Sequence, residues 1–168
     1  MKTPLCPKGG DDRVYTPPRL AEAIVRHFRP SGHIHEPCSG KDAFVDALNK
    51  WRRPSSFVTS SELDKGRDFF QFSVSQDWIV TNPPWSQLRA FLQHSMMLAD
   101  NIVFLCPTNA LLLKARYRDM QQAKFGIVEI LTVPTPPLPW PQSGFLLGAH
   151  WLRRGWTGAT SWSSLGKI

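Results

Sequence analysis

Apolar residues recur along this chain with two alternating periods. Over residues 17–28 (PPRLAEAIVRHF), Leu20, Ile24 and Phe28 fall every four positions on one helical face, and the leading prolines suit a first helical turn. His33–Cys38 is a short strand running into a turn at Ser39-Gly40. Asp42–Trp51 is helical again, with Phe44, Val45 and Leu48 apolar. Ser56–Glu62 is rich in strand formers, and Asp77–Asn82 (DWIVTN) is a tight apolar strand stopped by a Pro-Pro pair. A helix over Ser86–Ala99 turns Leu88, Phe91, Leu92 and Met96 inward. The unbroken apolar run Asn101–Cys106 (NIVFLC) marks a strand buried on both faces. A helix over 109–124, a strand over 126–134 and a strand at Phe145–Leu152 follow.

Such alternation predicts an α/β fold: a doubly wound, mostly parallel sheet whose ligands lie at the carboxyl ends of the strands. The loop 134–144 (PTPPLPWPQSG) is too short for a crossover helix, so the final strand is expected to be antiparallel to its neighbour. Five prolines in those eleven residues predict a stiff, extended spur, from which Trp140 would project at the rim and contact substrate. The last stretch, GWTGATSWSSLGKI, has no period. The expected division is an N-terminal extension over 1–13, one domain over 14–154, and a loosely held tail over 155–168.

Length and charge narrow the function. A chain of 168 residues is of single-domain size. No window approaches the ~20 consecutive apolar residues of a membrane span. The first residues, MKTPLCPKGGDD, lack the apolar run of a signal peptide, and the expected location is the cytoplasm. Three scattered cysteines suit neither a disulfide framework nor a CxxC zinc site, and the five histidines have no ligand-like spacing, so no metal is expected. Twenty Lys and Arg against thirteen Asp and Glu leave a net charge of +7. Most of the cations are arginines, whose forked guanidinium suits phosphate, so a nucleic-acid partner is expected. Arg116 and Arg118 read as a solvated helix face, with a phosphate contact left open.

Asn82-Pro83-Pro84-Trp85, ending the strand Trp78-Ile79-Val80-Thr81, is the strongest chemical signal. Asn82 supplies a side-chain carbonyl, and Pro83 and Pro84 offer carbonyls without competing N–H donors. Trp85 adds a flat face. Consecutive acceptors beside an aromatic plate suit the grip of an exocyclic amino group on a planar ring. Glu36-Pro37-Cys38-Ser39-Gly40-Lys41-Asp42-Ala43-Phe44 follows the first strand and offers an acid at the strand tip with a small-residue turn; Cys38 reads as a turn residue. Glu62, followed by Leu63 at the end of the second strand, is placed to hold a ribose diol. Asp68 could accept from an adenine amino group, with Phe69 packing on its ring.

In this order the residues resemble the amino-methyltransferases that use S-adenosylmethionine, above all the adenine-N6 DNA methyltransferases. Val14-Tyr15-Thr16-Pro17-Pro18 is similar to the N-terminal TP motif, which meets the methionine end of the cofactor. Glu36 through Phe44 is similar to the cofactor loop EPxxGxGxF, with Asp42 where the second glycine stands. Glu62 matches the ribose acid and Asp68 the adenine acid. Asn82 to Trp85 matches the catalytic motif [DNS]PP[YFW], and Asn82 also borders the cofactor. The resemblance covers about residues 13–152. It implies a Rossmann-like class I methyltransferase fold, S-adenosylmethionine as cofactor, and methyl transfer to N6 of adenine in a nucleic acid, DNA ahead of RNA. No separate recognition domain is expected, and the compact size suggests an enzyme of a phage or mobile element. RNA adenine methylation, protein glutamine methylation, and a binding module that has lost catalysis stand as alternatives.

Overall fold

The computed structural model describes residues 14–142 and 144–166; the expected extension over 1–13 lies outside the described residues. In chain order the elements are α1 (Pro18–Phe28), β1 (His33–Glu36), α2 (Ala43–Trp51), β2 (Phe57–Ser60), β3 (Gln76–Thr81), α3 (Leu88–Leu98), β4 (Ala99–Pro107), α4 (Lys114–Gln122), β5 (Phe125–Val133), β6 (Leu147–Arg154) and β7 (Ser161–Ser164). Four single 3-10 turns, at Leu63–Lys65, Phe69–Gln71, Trp85–Gln87 and Ala110–Leu112, begin close behind β2, β3 and β4.

All seven strands form one sheet in the order β2-β1-β3-β4-β6-β5-β7. β1, β2, β3 and β4 are mutually parallel, and β6 alone runs against its neighbours β4 and β5. This is the expected doubly wound, mostly parallel sheet. Its two faces can be read from the strand sequences. Ile79, Ile102 and Phe104 pack against α3, whereas Val80, Val103 and Leu105 pack against α1 and α2. Successive side chains of a strand point to opposite faces, so an unbroken apolar run such as NIVFLC serves two cores at once.

Two elements differ from expectation. The helix expected over 109–124 is a 3-10 turn followed by α4, because Leu113 is extended (φ −63°, ψ 137°) and interrupts it. The tail expected to be loose contains β7, which pairs in parallel with β5 from Glu129↔Ser161 to Thr132↔Ser164. Hydroxyls anchor that edge: Thr160 donates to the Ile127 carbonyl at 2.8 Å, and Thr132 to the Ser163 carbonyl at 3.0 Å. A polar edge strand held this way carries no apolar alternation, since it buries little on either face.

Candidate active site

The carboxyl ends of β1, β2, β3 and β4 gather the residues singled out above. β3 lies between β1 and β4, and it delivers Asn82-Pro83-Pro84-Trp85 to the middle of that edge. The Asn82 amide is divided between two tasks. Its Nδ2 donates to the Val14 carbonyl at 2.9 Å, while its Oδ1 is buried with no hydrogen-bond partner among the described residues. A buried acceptor left unpaired costs about 1–3 kcal/mol. Trp85 is half-buried, donates Nε1 to the Leu105 carbonyl at 3.2 Å, and meets Trp140 and Phe145 edge to face at 5.9 and 5.3 Å.

Trp140 is therefore not the projecting plate expected of it. It is only 2% exposed, and its Nε1 donates to the Tyr15 carbonyl at 3.1 Å. The proline-rich loop folds this ring back onto the sheet, because an indole this large gains more from burial beside Trp85 than from solvent. What the loop does expose is Leu138, at 81%.

Asn82 and Trp140 thus both hold the segment Val14–Tyr15 ahead of α1. Thr16 is buried, and Pro17 caps the helix. Tyr15 lies against Gly40, where an added Cβ would come within 3.0 Å of its ring. Gly40 also has φ +49°, so both conformation and space favour glycine there. Lys41 places its ammonium 4.7 Å from the centre of the same ring.

Glu36 is buried at the tip of β1, and its Oε1 accepts from the Cys38 amide at 2.8 Å. Burial pushes its carboxyl up to about 8, and the nearby Glu62 and Asp42 carboxylates add to that rise. Burial likewise pushes the Cys38 thiol well up, so it is no ready nucleophile. Pro37 is buried, Ser39 donates its amide to the Ser61 carbonyl at 3.0 Å, and Phe44 enters the core on α2. Asp42 adopts φ +63°, the left-handed conformation that favours glycine, and Lys65 donates to both of its oxygens at 2.9 and 3.1 Å. Those Lys65 bonds hold its carboxyl below the usual range.

Glu62 ties the two loops together by accepting from the Gly40 amide and the Asp64 amide. A carboxylate has about four acceptor sites, so room remains for a diol. Leu63 beside it is exposed. Asp68 accepts from the Phe70 amide at 2.9 Å and lines a surface cavity of about 650 Å³ with Ser60, Ser61, Arg67 and Phe72. That volume suits a small-molecule site. Phe69, however, is 3% exposed and stacks with Phe91 and His35, so it is a core ring rather than an open face for an adenine. His35 is buried beneath this cavity, hydrogen-bonded to the Thr59 and Ser61 hydroxyls, and burial together with Arg67 pushes its imidazole down to about 4.

On the β4 side of Asn82 stands a second set of residues, of which the sequence singles out only Arg116 and Arg118. Leu112, Leu113, Tyr117 and Leu146 are all exposed large apolar side chains, and the Thr108 amide donates to the Leu146 carbonyl at 2.8 Å. Lys114 and Arg118 are exposed among them, whereas Arg116 donates to the Ala110 carbonyl at 2.8 Å. Their signal in the chain was the interleaved run Leu113-Lys114-Ala115-Arg116-Tyr117-Arg118. Deeper in, Cys106 and His150 meet at 3.5 Å, but both are buried and burial pushes the thiol up, which makes them core partners. Among the described residues no group of three or more His, Cys, Asp or Glu could hold a metal ion, and no helix is long and apolar enough to cross a membrane.

No family model matches the chain, and no curated protein matches it. Solved structures do. A candidate RNA methyltransferase of Pyrococcus horikoshii superposes with a TM-score of 0.63 at 12% identity, covering 84% of this chain and 83% of that one. The M protein of the type I restriction enzyme EcoKI gives 0.65 at 14% identity, over 88% of this chain but 45% of its own. The methyltransferase subunit of a Streptococcus thermophilus type I restriction-modification system gives 0.63 at 12% identity, over 85% and 45%. The chain thus spans less than half of the two restriction subunits and most of the archaeal protein. At these identities the likeness is one of architecture, and the chain has the class I methyltransferase fold.

Proposed function

We propose that this chain transfers the methyl group of S-adenosylmethionine to the exocyclic N6 amino group of adenine in a nucleic acid, DNA before RNA. The observation that carries the reading is Asn82 Oδ1: a buried, unpaired acceptor at the carboxyl end of a central strand, followed by two prolines and a tryptophan. The cofactor suits the residues at the tips of β1 and β2. Gly40 leaves the loop backbone approachable, Glu62 keeps acceptor capacity for a diol, and Asp68 borders a cavity of fitting size. When bound there, S-adenosylmethionine would supply an electrophilic methyl group on a sulfonium centre.

The chain's own residues supply orientation. Asn82 Oδ1 and the carbonyls beside Pro83 and Pro84 accept from the two N–H groups of the amine. This draws its nitrogen toward tetrahedral geometry and localises a lone pair that adenine otherwise spreads into its ring. No base has to act first, since the amine proton becomes acidic only after the nitrogen has formed its new bond, and it then passes to water. In the present conformation Oδ1 is enclosed, so the incoming base must displace its cover. An adenine in a duplex would have to leave the stack to do so. The exposed apolar and basic residues around Tyr117 lie on the side of Asn82 away from Glu62, which leaves separate approaches for substrate and cofactor.

RNA is the second reading, favoured by the Pyrococcus horikoshii neighbour of matching length, a candidate RNA methyltransferase. The test is incubation with labelled S-adenosylmethionine and separate DNA, RNA and protein acceptors. Label in DNA as N6-methyladenine is expected; label in protein alone, or in no acceptor, overturns the reading.

A further inference from the structure

At the far end of the sheet from Asn82, the carboxyl ends of α1 and α2 form a second surface that the chemistry above does not use. Trp51 ends α2 and is 44% exposed. The Arg26 guanidinium lies 4.6 Å and the Lys50 ammonium 5.4 Å from the centre of that ring. Arg52 and Arg53 follow directly and are exposed, and Arg29 reaches back to the Arg26 carbonyl. Arg52 spends one donor on the Ser56 carbonyl at 2.6 Å and keeps the others. Five cations therefore share one patch. The acidic groups near it are Glu22, which pairs with Lys50 at 3.1 Å, Asp46, one turn before Lys50 on α2, and Asp77, which accepts from the His33 amide beside Gly32. The balance stays positive.

We infer that this patch is a docking site for the phosphate backbone of the nucleic acid whose base enters the site at Asn82. This rests on the nucleic-acid reading above and adds to it a second place of contact. A guanidinium lying against a ring keeps its in-plane N–H donors for phosphate, and an exposed indole offers a face for a base or sugar. The nine residues of α2 separate the patch from the cofactor loop by about 14 Å at the usual helical rise. One strand advances about 3.4 Å per phosphate, so the length of α2 corresponds to about four phosphates, well within an ordinary oligonucleotide. The contact needs no base sequence, which suits a surface made of cations and one flat ring.

The test compares the full chain with Arg52→Ala/Arg53→Ala and, separately, with Arg53→Glu. The readouts are binding of a mixed-sequence single-stranded DNA oligonucleotide across a salt series, calorimetric S-adenosylmethionine binding, and melting temperature. Losing two phosphate contacts should flatten the slope of log K against log salt by about 1.4 and weaken binding roughly 10- to 30-fold at 0.1 M salt. Cofactor affinity should not change in either variant, and melting temperature should not change in Arg53→Glu, which leaves the bond from Arg52 to the Ser56 carbonyl in place. Unchanged DNA affinity and slope in both variants, with the natural chain still binding, would overturn the patch and leave the functional reading standing. No DNA binding by the natural chain would overturn both. Polyglutamate held as tightly as DNA, and lost with the same substitutions, would reassign the patch to an acidic protein.

Discussion

The Asn82 side chain is held to Val14 by a hydrogen bond of 2.9 Å from Nδ2 to the main-chain carbonyl, across 68 positions of sequence. That bond fixes which end of the amide is free. With Nδ2 committed, Oδ1 is the end left to accept, and it is buried without a partner. The N-terminal segment therefore orients the residue that is proposed to grip the amine. Asn82→Ala should abolish methyl transfer, lowering its rate ~100-fold or more, since an acceptor used mainly in the transition state is worth about 3 kcal/mol. Single-turnover assays with saturating cofactor check this, and near-normal transfer would remove the reading.

Glu62 connects the two loops at the cofactor side, because the Gly40 and Asp64 amides both converge on its carboxylate. Glu62→Ala should weaken S-adenosylmethionine binding by about 10- to 100-fold, the worth of a charged acceptor at ~1.5–3 kcal/mol. Calorimetry is the measurement. Unchanged affinity would place the ribose elsewhere.

Trp140 shows where sequence reasoning reached its limit. The prolines around it do not make the extended spur expected of them, since the Trp140 amide donates to the Pro137 carbonyl at 3.2 Å and closes a turn, and nothing local says which way the ring points. Its direction depends on the Tyr15 carbonyl, 125 positions away, and on Trp85. The burial of Phe69 is hidden from the local sequence for the same reason: its partners His35 and Phe91 come from β1 and α3. β7 left no trace because its serines pair through backbone and hydroxyls rather than through apolar faces. By contrast, the two-sided strands β3 and β4 were legible, since burial on both faces writes an unbroken apolar run. The ordered small motifs were legible too, because turn and strand-tip residues act locally.

The buried place of Trp140 predicts a stability effect in place of the recognition effect first expected. Trp140→Ala should cost about 3–5 kcal/mol, as large-to-small core substitutions do, and lower the melting temperature by roughly 10 °C. Trp140→Phe keeps the ring but leaves the Tyr15 carbonyl without its donor, and should cost less. A melting temperature unchanged by Trp140→Ala would contradict the packing.

Glu36 and His35 set a pH dependence of opposite signs. Burial raises the Glu36 carboxyl to about 8 from a usual 4.5, so the folded state holds a proton that the unfolded chain releases. Its contribution is full below about 4.5 and is lost as pH rises toward 8. His35 is lowered to about 4 from 6.5, so its contribution is present above 6.5 and is lost as pH falls toward 4. The two slopes oppose each other between 4.5 and 6.5, and Glu36 acts without that opposition from 6.5 to 8. Denaturant melts should therefore show stability falling from pH 6.5 to 8, and Glu36→Gln should remove that fall. A flat profile in the natural chain would show that Glu36 ionises normally.

Asp42 occupies the one position of the cofactor loop where the resemblance calls for a second glycine, and its backbone has kept the glycine conformation at φ +63°. A side chain there costs about 1–2 kcal/mol, which Asp bears better than most residues through its short polar group. The bonds from Lys65 add some support, though both side chains are about two-fifths exposed and such pairs contribute little in water. Two substitutions separate backbone from charge, because Asp42→Gly and Asp42→Ala both remove the Lys65 partner. They differ in what the left-handed backbone tolerates. Asp42→Ala should be less stable than Asp42→Gly by about 1 kcal/mol in urea denaturation. Asp42→Gly should also bind S-adenosylmethionine at least as tightly as the natural chain, since it removes a carboxylate beside Glu36 and Glu62 and leaves the loop conformation allowed. Equal stability of the two variants would show that the loop relaxes out of the left-handed region. Weaker cofactor binding by Asp42→Gly would show instead that the Asp42–Lys65 pair is what holds the loop open for its ligand.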